Sequence, residues 1–494
     1  MTDESRPMRE PSMLDALIPV VSLVIMLAAS VYLYGADSSY GANQIALLLG
    51  AGIAAIIGIK NGYDWKTIEE GITHGISISL GAVLILLAVG SLIATWILSG
   101  TVPTLIYYGL QILHPSIFYP AAAIICALVG LSIGSSWTVA GTLGIALIGV
   151  ASAMGLSTAV TAGAIISGAY FGDKMSPLSD TTNLAPAVAG SELFHHIRHM
   201  MWTTVPSLVL ALIGFTVIGL VQTPDGQVSD FGNISEILAT EFNLGWYLLI
   251  PLFLVIWMAW KKMPAFPTMM IGALVGGVFA VIFNPEHAIH MSGRADVAAP
   301  AAMLSGIWTS LFDGYVSKTG NAAVDDLLSR GGMASMLNTV WLIICAMTFG
   351  AVLECTGMLR KMLTAALKMA HSTGSLIMTT LLTCIGANVI AADQYIAIVL
   401  PGRLYRLEFH RRKLAPVNLS RALEDAGTIT SPMIPWNTCG AYMAGTLGVP
   451  TLVYLPYCLF NIINPLLASG YAFAGFKIEP LREDEHIEVV EQNT

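Results

Sequence analysis

Residues 172–186 read Gly-Asp-Lys-Met-Ser-Pro-Leu-Ser-Asp-Thr-Thr-Asn-Leu-Ala-Pro and lie between two strongly apolar stretches. We call this stretch the first polar motif. It contains Lys174, which is the only Lys or Arg between Lys66 and Arg198. Charge at bilayer depth costs free energy and usually marks an ion or proton pathway. Oxygen-bearing side chains beside broken backbone also suit a small hard cation. We therefore predict that this motif is the ion site of a secondary transporter.

The composition around the motif is that of a membrane protein. The chain has 494 residues, of which 55% are hydrophobic and 11% are charged, whereas soluble domains carry about 25% charged residues. Apolar runs recur across residues 14–474, which predicts an all-α polytopic membrane domain of about ten crossings in the lipid bilayer. Residues 1–13 and the acidic stretch 475–494 form its ends. The net charge of −9 and the lack of a basic patch argue against nucleic acid as a partner.

The positions of Lys and Arg predict the orientation. Arg6 and Arg9 precede the first apolar run, and short cytoplasmic loops are enriched in cations. The N-terminus is therefore predicted to be cytoplasmic, and alternation of the later segments predicts a cytoplasmic C-terminal tail. Residues 285–332 are predicted to be a long external loop. The expected location is a bacterial-type cell (inner) membrane.

Two apolar stretches suit re-entrant hairpins better than ordinary spans. About 30 apolar residues separate Lys368 from Arg403, whereas two crossings need about 20 residues each and a turn. We predict a hairpin there with its tip between Asn388 and Asp393. Residues 116–152 have the same character, and the predicted tip holds Ser135, Ser136 and Thr138. The alternative for each stretch is a pair of short helices packed in a bundle.

A weak internal repeat connects these segments. Ser176-Pro177 recurs 255 residues later as Ser431-Pro432, in a second polar motif at residues 424–438. We predict two inverted repeats, at about residues 75–192 and 334–447, each containing a span, an interfacial segment, a hairpin and a broken helix. Proline enforces each break, and half-helices that end near the midplane leave free backbone groups for a ligand.

The first polar motif resembles the signature of the NhaC-type sodium/proton antiporter family, and the resemblance extends over about residues 14–474. It implies paired inverted hairpins, broken helices and a homodimer that works by alternating access. It also implies exchange of Na⁺ for H⁺. Some relatives carry a small organic anion, such as malate or lactate, or an amino acid coupled to Na⁺ and H⁺. Such a carrier or exchanger is the alternative function on the same fold.

Particular side chains are predicted to carry the chemistry. Asp180 is the carboxylate expected to hold Na⁺ and H⁺ alternately, with Thr181 and Asn183 as further Na⁺ ligands; its alternative role is a helix N-cap. Asp173 and Lys174 are either a second titratable carboxylate with its counter-charge or a helix-end pair in which the lysine snorkels. The other candidates bear hydroxyl, amide or carboxylate groups: Ser176 and Thr182 in the first motif, and Asn388, Asp393, Asp425, Ser431, Asn437 and Thr438 in a partner site or substrate site.

Other chemistries receive little support from the sequence. It contains no HExxH and no GxxxxGK[ST] motif, which argues against a metalloprotease and against ATP-driven transport. No cofactor is expected. His195 and His199 have the i, i+4 spacing of metal ligands, but an interfacial amphipathic helix is the preferred interpretation. The cysteines, which lie singly in apolar segments, are interpreted as small buried hydrophobes.

Overall fold

The computed structural model describes residues 9–222, 228–294 and 296–481. Arg6 and the acidic residues after position 481 lie outside the described residues, so the predicted ends are only partly represented. Within the described part, the only β pairing is an isolated bridge between Leu414 and Pro480.

Helices make up the first part of the fold and follow one another closely. Up to residue 222 they are α1 (Met13–Tyr34), α2 (Ala42–Lys60), α3 (Trp65–Leu98), α4 (Thr101–Ile112), α5 (Phe118–Ile133), α6 (Ser136–Val139), α7 (Ile145–Ala153), α8 (Thr158–Met175), α9 (Asp180–Ala189) and α10 (Leu193–Gln222). A π-helical turn at Ala140–Gly144 joins α6 to α7.

The second part of the fold has the same helical character. The helices are α11 (Val228–Glu241), α12 (Ile250–Trp260), α13 (Ala265–Phe283), α14 (Pro285–Ser292), α15 (Ala299–Asp313), α16 (Ala322–Leu328), α17 (Leu337–Cys355), α18 (Met358–Leu367), α19 (Thr373–Ala391), α20 (Gln394–Arg411), α21 (Pro416–Leu423), α22 (Thr438–Leu447), α23 (Thr451–Tyr454) and α24 (Leu459–Ala474). A second π-helical turn, Glu424–Thr428, continues α21.

The number of membrane spans agrees with the sequence-based expectation. Nine helices of the described chain are long and apolar enough to cross a membrane, and the number rises to eleven if each of two bent pairs is one span. The prediction of an all-α polytopic membrane protein is therefore confirmed.

Both predicted hairpin tips coincide with short breaks between helices. Gly134, with φ of 72°, ends α5, and Ser135 caps α6 by accepting a hydrogen bond from the Thr138 amide. Ala392, with φ of 59°, ends α19, and Asp393 caps α20. These left-handed residues reverse or redirect the chain within one or two positions.

The same order of elements occurs twice. A long helix, a short helix, a helix pair and a broken helix follow one another in α3–α9 and again in α17–α22. This is the order of elements expected within each repeat, whereas the repeat boundaries and their inverted relation stay predictions.

The predicted external loop at residues 285–332 is not a simple loop. It contains α14, α15 and α16, and α15 packs against α3. The hydroxyl of Ser91 donates to the carbonyl of Leu311 at 2.8 Å. The prediction of a loop was wrong because these helices are short and their polar flanks resemble those of a loop, whereas the external location stays a prediction.

Close packing of α5 and α8 fixes the position of the first polar motif. A Cβ atom at Gly168 would lie 2.1 Å from the carbonyl oxygen of Ala123, and one at Gly172 would lie 2.4 Å from that of Ala127. Small residues allow two membrane helices to approach this closely. The last turn of α8, which carries Asp173 and Lys174, is thereby held against α5.

Candidate functional site

Four helix N-termini converge on one cavity. They belong to α6 and α20, which follow the two tips, and to α9 and α22, which follow the two helix breaks. Each is capped by its own side chain, from Ser135, Asp393, Ser179 and Asn437. Capping satisfies amides that the helix itself leaves unpaired. Segments distant in sequence thus meet with their polar ends together.

This cavity, which we call the acidic cavity, has a volume of about 260 Å³. Three carboxylates line it, from Asp173, Asp180 and Asp393, and no Lys, Arg or His is present among the described residues of its lining. The other lining residues are small, apolar, hydroxyl-bearing or, for Gln394, amide-bearing: Ile78, Ser79, Gly81, Ala82 and Ile85 of α3, Ser135, Ser136, Trp137, Ala265, Gln394, Tyr395 and Thr438. The lining chemistry therefore suits a cation.

Asp173 has one carboxylate oxygen that is already engaged and one that is not. Its Oδ2 atom accepts hydrogen bonds from the amide of Ser136 at 3.0 Å and from the Ser136 hydroxyl at 2.7 Å. Its Oδ1 atom is buried and has no hydrogen-bond partner. A buried polar atom is normally paired, so this oxygen is the strongest candidate for a cation ligand.

Asp180 is joined to the second half of the molecule, whereas Asp393 is held by partners in its own half. Tyr395 of α20 donates its hydroxyl to Oδ2 of Asp180 at 2.5 Å. Oδ1 of Asp393 accepts from the amide of Tyr395 at 2.8 Å, and Oδ2 accepts from the Thr438 hydroxyl at 3.3 Å. Asp180 is exposed and is the first residue of α9, whereas Ser179 is the N-cap. The alternative role of Asp180 as an N-cap is therefore wrong.

Lys174 points away from the acidic cavity. Its ammonium group pairs with the carboxylate of Asp425, and both side chains are fully buried. Asp425 also accepts hydrogen bonds from the Thr203 hydroxyl at 3.0 Å and from the Asn464 amide at 2.9 Å. We call Lys174 and Asp425 the rear ion pair. The counter-charge of Lys174 thus comes from the second polar motif, and the lysine does not snorkel.

The remaining predicted residues of the first motif stabilise the break between α8 and α9. The Thr182 hydroxyl donates to the carbonyl of Lys174 at 3.0 Å, and the Asn183 amide donates to that of Pro177 at 3.0 Å. Ser176 accepts from the Leu178 amide at 3.3 Å, and Thr181 pairs with the Ser179 hydroxyl at 3.2 Å. None of these four predicted side chains is among those that line the cavity.

Several residues of the second motif have a similar structural role. The Asn437 amide donates to Oδ1 of Asn388 at 3.1 Å, and the Asn388 amide donates to the carbonyl of Gly427 at 2.6 Å. The Ser431 hydroxyl donates to the carbonyl of Thr428 at 2.7 Å. These contacts pair the polar groups that the second break exposes within the protein.

At the first tip, some predicted residues line the acidic cavity and another bonds only within the protein. Ser135 and Ser136 line the acidic cavity. The Thr138 hydroxyl donates to Oγ of Ser135 at 3.0 Å and is buried. The neighbouring Trp137 stacks on Tyr442 with 4.0 Å between ring centroids, which connects this tip to α22.

The histidines lie in protein contacts. His196 pairs with the Ser420 hydroxyl at 2.8 Å, and His199 with the carbonyl of Lys477 at 3.0 Å. Both side chains are buried against protein, and the interfacial position of this helix end stays a prediction. Across the described ranges, no group of three or more His, Cys, Asp or Glu side chains is arranged to hold a metal ion.

Some functional candidates are not among the predicted residues. Tyr395, Thr203 and Asn464 carry no sequence signal, because their contacts depend on tertiary structure alone. Glu424 is fully buried and stands beside Asp425 in an apolar segment. The rarity of ionisable residues in membrane helices is a signal that could have singled it out.

Membrane-spanning helices around an acidic cavity at two helix breaks define a multi-pass membrane transporter. Residues 168–476 match the sequence model of the Na⁺/H⁺ antiporter family. The chain belongs to that family.

Curated relatives cover almost the whole chain. It is 38% identical to the Na⁺/H⁺ antiporter NhaC of Alkalihalophilus pseudofirmus, over 86% of this chain and 89% of that protein. It is 37% identical to the malate-2H⁺/Na⁺-lactate antiporter of Bacillus subtilis, over 95% and 96% of the two chains. It is also 37% identical to the arginine/ornithine antiporter ArcD of Halobacterium salinarum, over 96% and 94%.

Proposed function

We propose that this protein exchanges Na⁺ for H⁺ by alternating access, with the acidic cavity as the cation site. The observation that carries the proposal is the charge of the lining, which has three carboxylates and no basic residue among its described members. Carboxylate oxygens are preferred ligands of hard cations. Carboxylates that share one small cavity and have no cationic side chain beside them repel each other. Either a bound cation or protons must therefore offset their charge. Na⁺ and H⁺ therefore compete for the same groups.

Three carboxylates are the proposed Na⁺ groups: Oδ1 of Asp173 is the direct ligand, and those of Asp180 and Asp393 attract the ion within the same cavity without closing around it together. They replace the predicted set of Asp180, Thr181 and Asn183, because the latter two side chains bond within the first break. The hydroxyl groups of Ser136 and Thr438 hold Asp173 and Asp393 in place. Asp180 is the proposed entry ligand because it is exposed.

The setting of the exchanger is also part of the proposal. It works in a bacterial-type cell membrane with both termini in the cytoplasm, as a homodimer, and needs no cofactor because ion gradients supply the energy. The inverted relation of residues 75–192 and 334–447 provides the two alternating states.

An amino acid with a cationic side chain is the second candidate substrate. The relative ArcD is named an arginine/ornithine antiporter, and the acidic lining here would attract a guanidinium or an ammonium group. A free organic anion such as malate would instead meet three carboxylates, so it would have to enter with Na⁺ or protons. The lining therefore favours a cation over an organic anion.

Proton flux in proteoliposomes tests the function. Purified protein is reconstituted with a pH dye in the lumen, and Na⁺ is added outside without any organic solute. We expect protons to leave the lumen as Na⁺ exchanges for them, and choline chloride at the same concentration is the matched control. Proton movement that requires added arginine, ornithine, malate or lactate would replace simple exchange by the carrier function.

A further inference from the structure

Glu424 is a buried carboxyl group with no hydrogen bond. Its side chain is fully buried, and neither Oε1 nor Oε2 has a partner at hydrogen-bonding geometry, although the Thr428 hydroxyl of the same turn is a polar neighbour. It opens the π-helical turn Glu424–Thr428. Isolated π-helical turns are uncommon and often occur at functional sites. Among the described residues, Glu424 is the only glutamate that is buried.

The groups around Glu424 do not supply it with a counter-charge. The facing titratable groups are Lys174 and Asp173 of α8, the adjacent Asp425, and Cys384 of α19. Lys174 is the only cation among them, and it already pairs with Asp425. The neighbours Leu423 and Ala426 belong to a buried apolar cluster with Cys384.

This arrangement favours the neutral form of the carboxyl group. An ionised carboxylate without a partner costs several kcal/mol when it is removed from water. One lysine faces two carboxyl groups, Glu424 and Asp425, so full neutrality requires one proton on the pair. Asp425 accepts hydrogen bonds from Lys174, Thr203 and Asn464, which stabilise its ionised form. The proton therefore resides on Glu424.

We propose that Glu424 is a proton-carrying site separate from the acidic cavity, and this inference rests on the proposed Na⁺/H⁺ exchange. Asp173 and Lys174 are consecutive in α8, and the first faces the cavity while the second faces Asp425. Na⁺ binding at Asp173 therefore acts on the rear ion pair through the adjacent residue, Lys174, in the last turn of α8. In the proton-releasing step, which takes place in the alternate state that admits water to this side, the O–H bond of Glu424 breaks and the proton passes to that water. The carboxylate left behind then shares Lys174 with Asp425.

The variant Glu424→Gln tests this role because glutamine has the shape of a neutral glutamic acid. We expect the variant to fold with an unchanged melting temperature and to bind Na⁺ with wild-type affinity. We expect its Na⁺-driven proton flux in proteoliposomes to fall at least tenfold. Glu69→Gln is the matched control, because Glu69 is exposed near the start of α3 and its removal should leave the flux unchanged.

Infrared spectroscopy provides a readout that needs neither transport nor a variant. Selective carbon-13 labelling of glutamate in the wild-type protein should shift the carbonyl band of a protonated carboxyl group at neutral pH, and Glu424→Gln should lack that band. Absence of a labelled band, or a higher melting temperature in Glu424→Gln from the loss of an unpaired charge, would overturn the proposal. Wild-type proton coupling in Glu424→Gln would do so as well. If the wild-type protein shows no Na⁺-driven proton flux, the proposed Na⁺/H⁺ exchange is refuted instead. The infrared band then decides whether Glu424 is protonated.

Discussion

The two broken helices have similar breaks but place their charges differently. Each break ends in a capped helix, with Ser179 before α9 and Asn437 before α22. The first motif presents Asp173 and Asp180 to the acidic cavity and sends Lys174 to the rear. The second motif presents only the Thr438 hydroxyl to the cavity and keeps its carboxyl groups behind it.

This difference suggests a division of labour between the halves. The first half contributes most of the charge that would bind a cation, and the second half contributes the acids that neutralise Lys174 or carry a proton. Because the counter-charge of Lys174 lies in the second half, a change of charge beside it in either half acts on the other half. Coupling between Na⁺ and H⁺ then follows from electrostatics across the interface of the two halves.

Among the variants that test this difference between the halves, removal of Lys174 should cause the largest loss of stability. Lys174→Met leaves Asp425 buried without a counter-charge, and loss of one member of a buried pair costs about 3–5 kcal/mol. The double variant Lys174→Met/Asp425→Asn should recover most of that stability. Unfolding by denaturant titration in detergent measures both. Lys66→Met is the control, because Lys66 is exposed and its ion pair with Glu70 is long, at 4.0 Å. An equal loss of stability in Lys66→Met would show that burial of the pair is not the cause.

The two hairpin tips, at Gly134 and Ala392, allow reciprocal substitutions with opposite expected effects on stability. Gly134→Ala should destabilise by about 3 kcal/mol, because alanine is strained at positive φ and its Cβ would lie 2.7 Å from the Ser179 amide. Ala392→Gly should instead stabilise by about 1 kcal/mol, because glycine adopts φ of 59° without strain. Denaturant titration of both variants checks the sign of each change. The same sign for both would show that the tips do not differ in this way.

Asp173→Asn should weaken Na⁺ binding without unfolding the protein. The Ser136 amide and hydroxyl can still donate to the remaining oxygen, but the charge at Oδ1 is lost. We expect at least a tenfold loss of Na⁺ affinity, or about 1.4 kcal/mol, measured by calorimetric titration. Asp296→Asn serves as the control because Asp296 is exposed. Unchanged affinity in Asp173→Asn would remove this residue from the ligand set.

Tyr395→Phe should have the smallest effect. It removes one hydrogen bond across the halves, from Tyr395 to Asp180, and such a bond contributes about 1 kcal/mol. We therefore expect Na⁺ affinity to change about fivefold or less, by the same titration. Tyr247→Phe is the control, because its hydrogen bond to Asn243 lies far from the cavity in sequence and at an exposed position. A loss as large as that of Asp173→Asn would make Tyr395 a direct ligand.

Much of the fold was predictable because its signals are local. Apolar runs give the spans, and Gly134 and Asp393 mark chain reversals by their own conformational preferences. The helices α14–α16 were missed because short helices between polar flanks lack such a signal. In the site, Asp173, Asp180 and Asp393 were predictable, since each is a carboxylate in an apolar environment.

The sequence by itself determined that this is a helical membrane protein with two polar motifs and two helix tips. Hydrophobicity, capping residues and proline act over a few neighbouring positions, so they can be recognised without a fold. Only the tertiary structure decided that Lys174 pairs with Asp425 and that Tyr395 reaches Asp180. It alone left Glu424 buried without a partner. Charge pairing depends on distances between helices that are far apart in sequence, and packing of the whole bundle sets those distances.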